Sequence, residues 1–127
     1  MPQQSGQNEI SHARVFGWWR NLPAWESMSP LEKIILVEAL RDCTLTESGL
    51  VALNQIRLTA YGLSKQHRCS QRTASKALKA IEERGWISRV GEVSGPSGQV
   101  GGVYELLGLT QLGRIKSGPF VRWSEDS

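Results

Sequence analysis

Two cysteines in 127 residues are too few for a disulfide framework. Cys43 and Cys69 also lack metal-ligand spacing with each other and with His12 and His67, the two histidines. Both cysteines are expected to be reduced, small core residues of a cytoplasmic protein. No run of eighteen apolar residues occurs, so no membrane-spanning segment is expected. The opening residues, MPQQSGQNEISH, have neither a basic n-region nor an apolar h-region, so they do not read as a secretory signal. No carboxylate or cysteine pattern around His12 or His67 suggests nucleophilic or metal chemistry. The Gly-rich stretch from Gly91 to Gly102 lacks the lysine-serine ending of a phosphate cradle and leads into a strand. The expectation is a protein that is not an enzyme, with no cofactor and no small-molecule ligand.

What is present is concentrated between Leu63 and Ile87, LSKQHRCSQRTASKALKAIEERGWI. Ser70 is placed to cap a helix, and Gly85 to stop it, because glycine takes positive φ without strain. Between them Ala74, Ala77, Leu78 and Ile81 recur at the helical period and form one apolar stripe. Gln71, Arg72, Ser75, Lys76 and Lys79 fall on the other side. A shorter helix, Ala60 to His67, precedes it, with Thr59 as its cap. Arg68-Cys69-Ser70 is a joint of the length a helix-turn-helix needs.

Charge is lopsided in the same place. From Ser64 to Arg89 there are seven Lys or Arg against Glu82 and Glu83, a balance of +5. The whole chain is +3, so the remainder is −2. Both acids lie at the far end of the second helix, away from the N-terminal half that enters a major groove in helix-turn-helix proteins. Gln, Thr and Ser among the cations suit the edges of bases, where hydrogen bonds carry the reading. An acidic protein partner would need only charge.

The rest of the chain frames this unit. Residues 1–10 are polar without a period and are expected to be a disordered lead. Val15, Trp18, Trp19 and Leu22 sit at helical spacing, so a helix from Ser11 through Arg20 is expected, weakened by Gly17 and broken at Pro23. This tryptophan-rich segment reads either as a dimer surface or as a cover over the domain's own core. Ser29-Pro30-Leu31-Glu32 is a strong helix start, running to about Cys43. That helix is apolar on most of its circumference, which predicts burial on more than one side. Leu45 to Leu53 is open between a short helix and a loop. Gln55 to Leu58 fits a brief strand, Trp86 to Val93 a longer one, and Val103 to Leu107 the strand that returns after a Gly91–Gly102 hairpin loop. Residues 108–127 form a C-terminal tail that packs as an added segment and ends in a loose SEDS.

Helix, short strand, helix, helix, strand, Gly-rich loop, strand is the order of a winged helix. The chain resembles winged helix-turn-helix DNA-binding proteins in CSQRTASKALKAIEERGWI, which ends in a strand and a Gly-rich loop. LPAWESMSPLEKIILVEAL and IRLTAYGLSK extend the likeness to small regulators of bacterial mobile elements and phages. The fold implied is mainly α with a small antiparallel β wing, over residues 11–107 with the aromatic extension included. The function implied is sequence-specific binding of double-stranded DNA by a transcriptional regulator. The alternatives are a winged-helix protein-contact module or an accessory factor of replication or recombination. Carried over by position, Gln71, Arg72, Thr73, Ser75 and Lys76 would meet base edges or phosphates, while Lys65 and Arg68 would hold the backbone. Ser70 opens the reading helix, and Lys79 lies farther along at phosphates. Arg72 is the foremost base reader, since its planar fork can pair two atoms of guanine. One departure stands out: the wing has no Lys or Arg between Gly91 and Val103, and it carries Glu92. The first core helix and the tryptophans motivate a homodimer, and DNA binding would place the protein at the nucleoid.

Overall fold

Ser29 and Glu32 close a reciprocal box at the start of the first long helix. The Ser29 hydroxyl accepts from the Glu32 amide at 3.2 Å, and the Glu32 carboxylate accepts from the Ser29 amide at 3.1 Å. This satisfies two of the amides that a helix start leaves without partners. The computed structural model describes residues 17–42, 54–94, 100–110 and 115–125. The polar lead, the start of the Ser11–Arg20 helix, Cys43, the Leu45–Leu53 stretch, the tip of the Gly-rich loop and the final two residues lie outside the described residues.

The elements are α1 (Pro23–Glu26), α2 (Pro30–Asp42), β1 (Gln55–Leu58), α3 (Ala60–His67), α4 (Gln71–Glu83), β2 (Ile87–Ser94) and β3 (Val100–Leu106). Short 3₁₀ turns occupy Gly17–Asn21 and Pro119–Val121. The chain is thus mixed helical with one small antiparallel sheet of three strands, ordered β1-β3-β2. That layout is compatible with a winged helix. No helix among the described residues is long and apolar enough to cross a membrane.

The helical expectation for residues 17–20 is corrected to a 3₁₀ turn. Pro23 explains where it ends: a residue before proline is pushed to extended backbone, and Leu22 sits at φ −83°, ψ 144°. α2 buries one stripe, Ile35, Leu36, Ala39 and Leu40, and packs on α4, whose Ala74, Ala77, Leu78 and Ile81 are buried. The opposite side of α2 was expected to be covered, yet Ile34 and Val37 remain 45% and 41% exposed. α3 is tied to α2 by Gln66, which donates to the Glu38 carboxylate at 2.9 Å.

Each helix of the central pair has the cap its sequence suggests. Thr59 Oγ1 accepts from the Gly62 amide at 2.9 Å, and Ser70 Oγ from the Thr73 amide at 3.0 Å. α4 stops at Arg84, and Gly85 follows at φ 84°. The turn between α3 and α4 pivots on Arg68, at φ 55° and ψ 48°. It is the one non-glycine residue with positive φ among those described.

The hairpin is longer than expected. Gly91 to Gly102 does not form one open loop, because Gly91 pairs with Val103, Glu92 with Gly102 and Val93 with Gly101. Glycine serves close approach here. A Cβ on Gly102 would sit 2.6 Å from the Tyr104 ring, and one on Gly101 would collide with the Thr59 methyl group. Val90 is the extra residue of a bulge between Arg89 and Gly91.

Behind the sheet the two ends of the domain meet. Trp86 stacks on Phe120, and Trp19 stands edge-on to both, at 5.5 Å from Trp86 and 5.2 Å from Phe120. Trp19, Leu109 and Phe120 have no exposed surface. The Trp86 indole donates to the Ala24 carbonyl at 3.0 Å. Trp19 therefore covers the domain's own core, while Trp18 stays 47% exposed. The segment after Leu107 supplies core residues rather than an outer layer.

Candidate nucleic-acid interface

α4 is amphipathic: its buried stripe packs on α2, and its polar residues are exposed except Glu82, which is half-buried. Arg72, Ser75, Lys76 and Lys79 recur at i, i+3, i+4 and i+7, so they share one face, with Gln71 and Thr73 at its flanks. All nine residues expected at the site are exposed: Lys65, Arg68, Ser70, Gln71, Arg72, Thr73, Ser75, Lys76 and Lys79. None of the side chains of Arg68, Gln71, Arg72, Ser75, Lys76 and Lys79 has a hydrogen-bond or ion-pair partner among the described residues.

Two of the nine do internal work. Ser70 Oγ accepts from the Thr73 amide and donates to Thr73 Oγ1 at 2.9 Å. Its hydroxyl is committed to the cap. Thr73 Oγ1 accepts that bond and keeps its own proton free to donate outward. Ser70 thus orients the helix start, and Thr73 remains a polar tip beside Arg72.

The basic count shrinks when partners are assigned. Arg84 turns inward, donating to Ser27 Oγ at 2.8 Å and to the Ala80 carbonyl at 3.1 Å, with its guanidinium 4.8 Å over the Trp123 ring. Arg89 donates to the Glu92 carboxylate at 3.0 Å, at the base of the hairpin. Five cations remain outward: Lys65, Arg68, Arg72, Lys76 and Lys79. Sequence counting cannot make this division, because Ser27 and Trp123 reach Arg84 only through the fold. Of the acids at the far end of α4, Glu82 accepts from the Arg89 amide at 3.2 Å and is half-buried.

α3 adds one group that sequence reasoning passed over. Tyr61 is exposed, and the Lys65 ammonium lies over its ring at 5.3 Å. The signal was there as an aromatic four residues before a lysine on a short capped helix.

The first three turns of α4 and the end of α3 present hydrogen-bonding tips and cations; the exposed acid Glu83 joins the same face only at the last residue of α4. This face can pair with base edges through Arg72, Gln71 and Ser75, and with anionic oxygens through the lysines. Comparison with family models, curated proteins and solved structures finds no match. The reading of the site therefore rests on its own geometry.

Proposed function

We propose that this chain is a winged-helix protein that binds double-stranded DNA sequence-specifically, as a transcriptional regulator of a bacterial or phage system. The observation that carries the reading is the outer face of α4. Arg72, Ser75, Lys76 and Lys79 are aligned there, exposed and without partners among the described residues. A solvated surface helix usually mixes both signs along its face, whereas the acids here begin only at Glu82 and Glu83. The buried stripe seats α4 against α2, which sets the direction of the polar tips. Lys65 and Arg68 flank the reading helix at phosphates, and Lys76 and Lys79 extend that contact. The hairpin contributes no net cation in its described part, since Arg89 is neutralised by Glu92.

Selection of duplexes from a random pool tests the proposal. Enrichment of a defined motif supports it. Recovery of the pool unchanged, with equal binding to any polyanion, contradicts it.

A further inference from the structure

Tyr61 and Lys65 stand one turn apart on α3, and their geometry is more than proximity. The Lys65 ammonium lies 5.3 Å from the centroid of the Tyr61 ring, within the range of a cation–π contact. Tyr61 is 38% exposed and Lys65 is exposed, so the pair lies at the surface of α3, the helix that precedes α4. Its backbone position is fixed twice. Thr59 caps the first turn through the Gly62 amide, and the Ser64 hydroxyl donates to the Tyr61 carbonyl at 2.7 Å. Thr59 is in turn held by the close approach of Gly101 in β3.

From this geometry we infer that Tyr61 is a positioning residue for Lys65, and that Lys65, so held, grips a phosphate on the α3 flank of bound DNA. The inference rests on the DNA-binding reading above. A free lysine is a flexible stem that loses rotamer freedom when it engages an anion. A ring that already holds the ammonium lowers that loss. The need falls on this flank because the described hairpin offers no unpaired cation: Arg89 is bound to Glu92. The protein then holds the duplex unevenly, tightly on the α3 side of the reading helix and weakly on the hairpin side.

The test uses the full chain and a duplex carrying the selected motif, titrated over a range of salt concentrations. The variants are Tyr61→Phe, Tyr61→Leu, Lys65→Met and the Tyr61→Leu/Lys65→Met pair. Tyr61→Phe keeps the ring and should bind as the parent does. Tyr61→Leu should weaken binding by about two- to fivefold. It should also flatten the salt slope by about one unit, toward that of Lys65→Met. The double variant should be no weaker than Lys65→Met. In the free protein, the Lys65 side-chain proton resonances should lose their ring-current shift in Tyr61→Leu and keep it in Tyr61→Phe. That readout does not depend on DNA and reports only the pairing.

A Tyr61→Leu protein with parental affinity and slope overturns the inference while leaving DNA binding intact. Additive losses in the double variant also overturn it, since Tyr61 would then act on its own. Loss in Tyr61→Phe equal to that in Tyr61→Leu shifts the role to the hydroxyl and overturns it as well. A parent protein that binds no duplex overturns both this inference and the functional proposal.

Discussion

Phe120 lies flat on Trp86, with ring centroids 4.2 Å apart and planes 11° from parallel. Both rings are buried, and Trp19 closes over their edges. Phe120 thus completes the core beneath β2, the strand that follows α4. Phe120→Ala should destabilise the fold by about 3–5 kcal/mol, the usual loss for a buried aromatic. Urea unfolding followed by tryptophan fluorescence measures it. A loss below about 1 kcal/mol would show that the stack is peripheral.

Arg68 holds a left-handed backbone that favours glycine. The strain is of the order of 1 kcal/mol. A cation at the C-terminus of α3 offsets part of it through the helix dipole. Arg68→Gly should leave stability unchanged or raise it by up to about 1 kcal/mol, while weakening DNA binding for all sequences alike. Thermal unfolding and titration together separate the two effects. A variant that loses stability and keeps affinity would mean the arginine serves the fold instead.

Arg84 and Lys79 are both basic and five residues apart on the sequence, yet they should behave oppositely. Arg84 bridges Ser27, Ala80 and Trp123, so Arg84→Ala should lower stability by about 1–3 kcal/mol, as partly buried hydrogen bonds to a charged group do. Its salt slope on DNA should not change. Lys79→Ala should leave stability within about 0.5 kcal/mol and flatten the salt slope by about one unit. Exchange of these two outcomes would make Lys79 the inward cation and Arg84 the outward one.

The caps at Ser29, Thr59 and Ser70, the stop at Gly85 and the buried stripe of α4 were legible because they depend on neighbours in sequence. The element order from α2 to β3 follows from them. The extent of the hairpin was not legible. Gly101 and Gly102 read as loop residues, and only the fold shows the Thr59 and Tyr104 side chains that require glycine there. Phe120 and Trp19 likewise have no local pattern that pairs them with Trp86. The exposure of Arg72, Ser75, Lys76 and Lys79 on one side of α4 follows from the helical period alone. The second bond of Ser70, donated to the Thr73 hydroxyl, and the withdrawal of Arg84 both needed side-chain partners.

The stripe of α2 opposite the core, with Ile34 and Val37 exposed, is the surface proposed to join two copies. It faces away from the α4 packing side, so both outward faces of α4 stay open in such a dimer. Mass measured in solution should be that of a dimer, and Ile34→Glu/Val37→Glu should return the monomer with the fold intact. A monomeric parent, with and without DNA, would remove the dimer from the account.

The most direct test of the central claim is a paired titration of the selected duplex and a scrambled duplex, with the parent and with Arg72→Ala. The parent should prefer the selected site, and log K should fall with log[salt] at a slope of roughly −4 to −5, as five outward cations allow. Arg72→Ala should lose about 1–3 kcal/mol on the selected site and relax preference at one base pair. Equal affinity of the parent for both duplexes, or a site preference untouched by Arg72→Ala, would contradict reading by the start of α4.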